Sequence, residues 1–290
     1  MSLRELGASV SIGGGDSDVY SVYRLAVYVV SGLAIVFFGF PIYWMFVSSV
    51  KPIQNITTYP PTFFPRHFTF QNYVQLFTNT GYTTWLTNSI IISIGIVVLT
   101  TVLSTLAGYA LTRYRIPFKK WIAAMFIFGY MFPPITLGIP YFMIFLRLHL
   151  VNSLLAVVIA ATSITLPFST WLMWQFFQTV PISLEEAAWT NGASRFRGIF
   201  EVALPSALPG IIAVAIYAFA IGWNSFLFPF LFLETPGKKV LTTGLYSFLQ
   251  GTQTYWGSLM AASAALTIPP LLLVLFLNRY IMEGFAIRSQ

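Results

Sequence analysis

Six stretches of this 290-residue chain are long, apolar and free of Asp, Glu, Lys, Arg and His: 25–49, 86–112, 121–146, 152–180, 202–233 and 252–278. A helix needs about 20 mostly apolar residues to cross the hydrocarbon of a bilayer, and each stretch meets that length. The strands of a membrane barrel would be shorter and would alternate in polarity. The run 90–101 does not alternate. The chain therefore reads as all-α, a polytopic membrane protein with six transmembrane helices. Its charge content agrees. Only 8% of its residues are charged, against about a quarter in a soluble domain, which excludes an ordinary cytosolic enzyme and a disordered protein.

The chain has no cysteine, so disulfides, thiolate nucleophiles and Cys-ligated metals are excluded. His67 and His149 are the only histidines and lie far apart; no metal site is expected. The net charge of +7 fits basic cytoplasmic loops better than nucleic acid. With the N-terminus inside, the cytoplasmic segments hold ten basic residues and the outer segments five. The cluster Arg113, Arg115, Lys119 and Lys120 gives most of this bias. Both termini are thus expected in the cytoplasm of a multi-pass inner-membrane protein. Residues 1–24, with Gly13-Gly14-Gly15, read as a flexible cytoplasmic segment, 25–283 as the membrane domain and 284–290 as a cytoplasmic tail. The first apolar run is longer than the 7–15 residues of a signal-peptide core, so it reads as a membrane span and not as a cleaved leader.

The chain lacks the parts of a pump. No G-x-x-x-x-G-K-[ST] pattern occurs; the nearest string, Gly237-Lys238-Lys239, has Phe232 where the first glycine belongs. A proton-driven carrier places titratable groups inside the bilayer, and the six stretches have none. A sodium-coupled carrier could still use carbonyls at broken helices, and Pro133-Pro134, Pro167 and Pro269-Pro270 are candidate breaks. The simpler reading makes them kinks whose freed carbonyls are satisfied by neighbouring helices.

One inner loop is long and patterned, 181–209. Ser183 with Glu186 three residues later has the spacing of a capping box. Glu185 and Glu186 suit the positive end of a helix dipole, and Gly192 suits a left-handed C-cap. A short cytoplasmic helix is predicted over 184–191, with small Ala187, Ala188 and Ala193 able to press into a groove on a partner.

The same loop resembles a known motif. Glu186-Ala187-Ala188, Asn191-Gly192-Ala193, Phe200 and Leu204-Pro205 follow E-A-A-x-x-D-G-A-x(6)-F-x(3)-L-P, the EAA motif of membrane permease subunits in ATP-binding-cassette (ABC) importers. Asn191 stands where the motif has Asp. The stretch 41–52, Phe68 to Tyr73, Asn88-Ser89, Gly108-Tyr109-Ala110 and Trp223-Asn224-Ser225-Phe226 resemble the carbohydrate-uptake, maltose-type branch of that family. The resemblance implies a type I ABC importer permease fold. It also implies a second permease subunit, two cytoplasmic ATPase subunits that bind ATP and Mg, and an extracytoplasmic solute-binding protein. This chain itself would bind no cofactor, would not be an enzyme, and would have lipid but no nucleic acid as a partner. Glu186 would pair with a cation in an ATPase groove, with Ala187, Ala188, Asn191, Gly192, Ala193, Leu204 and Pro205 completing the coupling surface. Gln250, Gly251, Thr252 and Gln253 would form the loop that enters the binding protein's cleft. Asn88, Trp171, Trp174, Trp223 and Asn224 carry amide and aromatic groups suited to sugars and are candidates for the substrate path, with packing or an interfacial belt as the more ordinary use of each. The alternative of a different class is an ion-coupled secondary carrier for a sugar-like solute, which leaves the EAA spacing unexplained.

Overall fold

The computed structural model describes residues 16–65, 67–249 and 255–286, and the elements there are helical. They run, in order, α1 (Asp16–Ser49), α2 (Ile53–Ile56), α3 (Gln71–Asn79), α4 (Tyr82–Arg113), α5 (Lys119–Tyr130), α6 (Pro134–Arg147), α7 (Leu154–Thr179) and α8 (Ile182–Thr190). Then come α9 (Arg195–Arg197), a π turn (Gly198–Ala203), α10 (Leu204–Ser206), α11 (Leu208–Trp223), α12 (Leu227–Phe232), a 3₁₀ turn (Pro236–Lys238), α13 (Leu241–Ser247) and α14 (Trp256–Ala286). Among the described residues, four helices are long and apolar enough to cross a membrane, or up to six if each of two bent pairs is one span.

The bent pairs differ from the uninterrupted helices expected there. Between α5 and α6 the chain turns by 92°, at Pro133-Pro134. The residue before a proline is driven out of the helical region, and Pro133 accordingly sits at ψ 129° while Pro134 opens α6 as a first-turn proline. The fifth apolar stretch is also divided. Arg195–Ser206 meets Leu208–Trp223 at 70°, and the chain leaves helix again after Trp223 before α12.

The identical pair Pro269-Pro270 lies inside α14 without a break. Pro270 has no N–H to give the carbonyl four residues back, Leu266. The indole of Trp223 supplies the missing donor, Nε1 to Leu266 O at 3.0 Å. A neighbouring helix thus satisfies a carbonyl that lipid could not. Pro167 likewise lies within α7.

α4 is the central rod. It packs along α7 and α11, and α14 lies against α1 and α11. Gly108 permits the closest approach of α4 to α7: a Cβ there would stand 2.7 Å from Met173 Cβ and 2.8 Å from the Trp174 amide nitrogen. Small residues at such crossings let membrane helices approach closely. One buried cluster around Tyr82, Trp85, Trp223 and Leu245 lies at one end of the bundle, and another around Tyr109, Met173, Phe177 and Val214 at the other. Between residues 23 and 43 of α1 most apolar side chains are exposed, Ile35, Phe37 and Phe38 among them, as contact with lipid allows. Beyond α1 the chain is tied down by Asn72, whose amide donates to Ser49 O and Lys51 O at 2.9 and 2.8 Å. Lys51 itself is buried, donates to Thr62 O and lies over the Trp44 ring.

Candidate functional site: the α8 loop

α8 begins two residues earlier than the sequence suggests. Its N-cap is Pro181, with no side-chain cap, and Ser183 lies inside the helix. The capping box is therefore not formed. Pro181, with φ −61°, suits a helix start by its fixed ring geometry, and Arg113 at the end of α4 donates from Nη2 to Val180 O at 3.0 Å and from Nε to Glu185 Oε1 at 2.6 Å. One guanidinium thus fixes both the residue before Pro181 and the first turn of the helix. Tyr109, one turn earlier on α4, donates its hydroxyl to Glu185 Oε2 at 2.7 Å. Glu185 is 0% exposed. Both of its oxygens are engaged, as the burial of a carboxylate requires.

The C-terminal end follows the sequence. Gly192 has φ +87°. Its N–H donates to Trp189 O, and that of Ala193 to Ala188 O, each at 3.0 Å. These two bonds are the Schellman pattern that closes a helix through a left-handed residue. Asn191, in the position of the motif's Asp, turns its amide back onto Ala187 O at 2.8 Å.

α8 therefore has two faces. Glu185 and Trp189, one turn apart, share the inner one. The Trp189 indole nitrogen packs against Gly198, where a Cβ would come within 2.5 Å, and the Arg195 guanidinium lies 3.9 Å from the ring centroid. The outer face presents Ser183, Leu184, Glu186, Ala187 and Thr190, all exposed. The surface extends past the helix through exposed Phe196, Phe200 and Pro205, while Leu204 and Ala207 turn into the buried cluster at this end. Phe200 lies within the six-residue π turn 198–203; such wide turns interrupt regular helix and recur at functional sites.

The expected substrate-path residues separate. The Asn88 amide donates to Gly237 O and Lys239 O at 3.1 and 2.9 Å, and Trp223 is taken up by Leu266. Asn224 lines a cavity of about 410 Å³ with Pro134, Ala161, Ile164, Ser225 and Phe226. Trp171 and Trp174 are half-buried on α7. The Trp171 ring lies 6.0 Å from that of Phe168, which in turn meets Tyr130 at 5.3 Å and Tyr217 at 4.9 Å. Residues 250–253 lie outside the described residues. Among the described residues, no group of three or more His, Asp or Glu is placed to hold a metal ion.

Residues 100–285 match the family described as binding-protein-dependent transport system inner membrane component. The trehalose/maltose transport system permease protein MalG of Thermococcus litoralis is 34% identical over 252 residues, covering 84% of this chain and 88% of that protein. The sulfoquinovosyl glycerol transport system permease protein SmoH of Agrobacterium fabrum is 31% identical over 246 residues, covering 84% and 86%. The fold is that of a chain in the crystal structure of a bacterial ABC transporter involved in the import of the acidic polysaccharide alginate. That match has a TM-score of 0.77 and 19% identity, and covers 93% of this chain and 99% of the other.

A helical membrane domain bearing an exposed EAA helix defines a permease subunit. This chain belongs to the family of binding-protein-dependent transport system inner membrane components. It is the transmembrane permease subunit of an ABC importer and not the ATPase. Glu185, Tyr109 and Arg113 anchor α8 to α4 through contacts that the sequence does not reveal directly. Their one sequence signal is a second acid beside Glu186 in a chain with only eight acids: adjacent residues on a helix cannot both face one groove.

Proposed function

We propose that this permease carries a carbohydrate, an oligosaccharide, disaccharide or related polyol, delivered by an extracytoplasmic solute-binding protein. It works beside a second permease subunit and two cytoplasmic ATPases that bind ATP and Mg. Two similar permeases are named for sugar-containing solutes, trehalose or maltose and sulfoquinovosyl glycerol, and the neighbouring fold is from an alginate importer. The chain crosses the membrane six times with both termini inside, the third and fifth crossings being the bent pairs.

The observation that supports ATPase coupling is the outward presentation of Glu186 and Ala187 on a helix whose other acid is buried. Glu186 is free to meet a cation in an ATPase groove, and small Ala187 lets the helix seat closely. ATP closes the ATPase pair, α8 moves with it, and the cavity opens outward. ATP and loaded binding protein together must favour the outward state by about 5 kcal/mol to make it dominant. The solute then passes the Asn224 cavity and the aromatic group at Trp171.

Replacing Glu186 with Lys tests this reading. The side chain makes no contact that holds the fold, so the permease pair should still assemble. The ATPase should no longer co-purify, and stimulated ATP hydrolysis should be lost. An ATPase that remains bound and stimulated in Glu186→Lys would refute the docking role.

A further inference from the structure

We propose that Glu185, Arg113 and Tyr109 form the joint through which α8 moves α4, and that α4 carries the movement across the membrane to the segment 237–241. This rests on the docking of α8 described above and identifies where the force goes next.

The geometry favours this route over the covalent chain. α8 has nine residues and joins α7 through Val180 and Pro181 alone. A short helix on such a link would pivot when pushed on its outer face. Glu185 prevents the pivot because it is wholly buried and held at both oxygens by α4. The second inner-face contact, Trp189 on Gly198, holds the other end of α8 to the π turn, so the helix cannot rotate about Glu185. A push on Glu186 is therefore delivered to α4 at Tyr109 and Arg113.

α4 is suited to transmit it. It is one helix of 32 residues with no proline. Gly108, adjacent to Tyr109, is where α4 presses on the α7 backbone, so α7 must follow. At the far end, the Asn88 amide holds the Gly237 and Lys239 carbonyls, and Ser89 Oγ accepts the Leu241 N–H at 2.9 Å. From Asn88 to Tyr109 the rod is about 32 Å long at 1.5 Å per residue, which is the thickness of the hydrocarbon core. The segment it holds follows α12 and opens α13, the helix leading to residues 250–253. Binding protein outside and ATPase inside would thus act on the two ends of one helix.

Tyr109→Phe is the discriminating variant. It keeps the ring, which packs on Phe177 at 5.5 Å, and leaves the Glu185–Arg113 pair in place, so folding should survive. It removes one of the two bonds that hold the carboxylate. In the reconstituted complex, the ratio of binding-protein-stimulated to basal ATP hydrolysis should fall by about fivefold or more, the scale of a typical coupling between sites. Assembly and basal hydrolysis should not change. Glu185→Gln should lower the ratio further. A joint is overturned if Tyr109→Phe keeps the wild-type ratio. It is also overturned if basal and stimulated rates fall together with loss of ATPase from the complex, since that marks a purely structural contact. Glu186→Lys, measured alongside, separates the two ideas. A stimulated complex in that variant refutes the docking of α8, whereas an unchanged ratio in Tyr109→Phe with Glu186→Lys defective refutes the joint alone.

Discussion

The bond between Trp223 and the carbonyl freed by Pro270 can be measured by a double-mutant cycle. Trp223 is 2% exposed. Its ring stacks on Phe219 at 5.5 Å, and its Nε1 is 3.0 Å from Leu266 O. Trp223→Phe removes both the donor and part of the ring. The ring loss is a packing term that does not depend on residue 270. The donor loss does depend on it, because Leu266 O has no backbone partner while Pro270 is present. A hydrogen bond between membrane helices contributes about 0.6 kcal/mol on average and up to about 1.7. A buried carbonyl left unpaired sits at the upper end, so about 1–2 kcal/mol is expected here. In Pro270→Ala the backbone N–H of residue 270 can take over, and Trp223→Phe should then cost only the packing term. Equilibrium unfolding of the four variants in detergent should give a coupling of about 1 kcal/mol or more. Equal destabilisation by Trp223→Phe in the wild-type and Pro270→Ala backgrounds, within about 0.3 kcal/mol, would refute the compensation of the freed carbonyl by Trp223.

Three further outcomes are expected. A reporter fused after Lys238 should lie outside the cell and one fused after Arg195 inside; the opposite result at both would reverse the orientation. Gly192→Val should destabilise the α8 loop by roughly 1–3 kcal/mol, the cost of a non-glycine residue held at positive φ, and should impair coupling. A Cβ at residue 192 meets nothing within 4 Å, so the penalty is in the backbone, and Gly192→Asn, which tolerates this conformation, should retain most activity in the same transport assay. Replacing 250–253 with a Gly/Ser linker should leave assembly and basal ATP hydrolysis intact but impair stimulation by loaded binding protein and uptake. Wild-type stimulation in that variant would remove the loop from solute delivery.

What was legible in the sequence depended on local rules. Charge-free length marks a membrane helix, and Gly192 after a short acidic helix marks its end, because both are decided within a few residues. The dipeptide Pro133-Pro134 and the dipeptide Pro269-Pro270 are locally identical, yet one turns the chain by 92° and the other does not. In α14 the carbonyl freed by Pro270 is satisfied by Trp223, 43 residues away in sequence. Glu185 is similar. Its sequence neighbours point to the helix dipole, whereas its partner Arg113 is 72 residues away. Asn88 and Trp223 looked like sugar ligands by residue type, and their donors are used within the fold.

The central claim is that this chain moves a solute only as the membrane part of an ATP-driven complex. The direct measurement is uptake into proteoliposomes containing this permease, its partner permease and the ATPases, with sugar-loaded binding protein outside and ATP inside. The account predicts accumulation of the sugar that requires enclosed ATP and the binding protein, and that stops when the ATPases are omitted. Accumulation driven by an ion gradient through the permease chains alone, with no ATP and no ATPase, would contradict it.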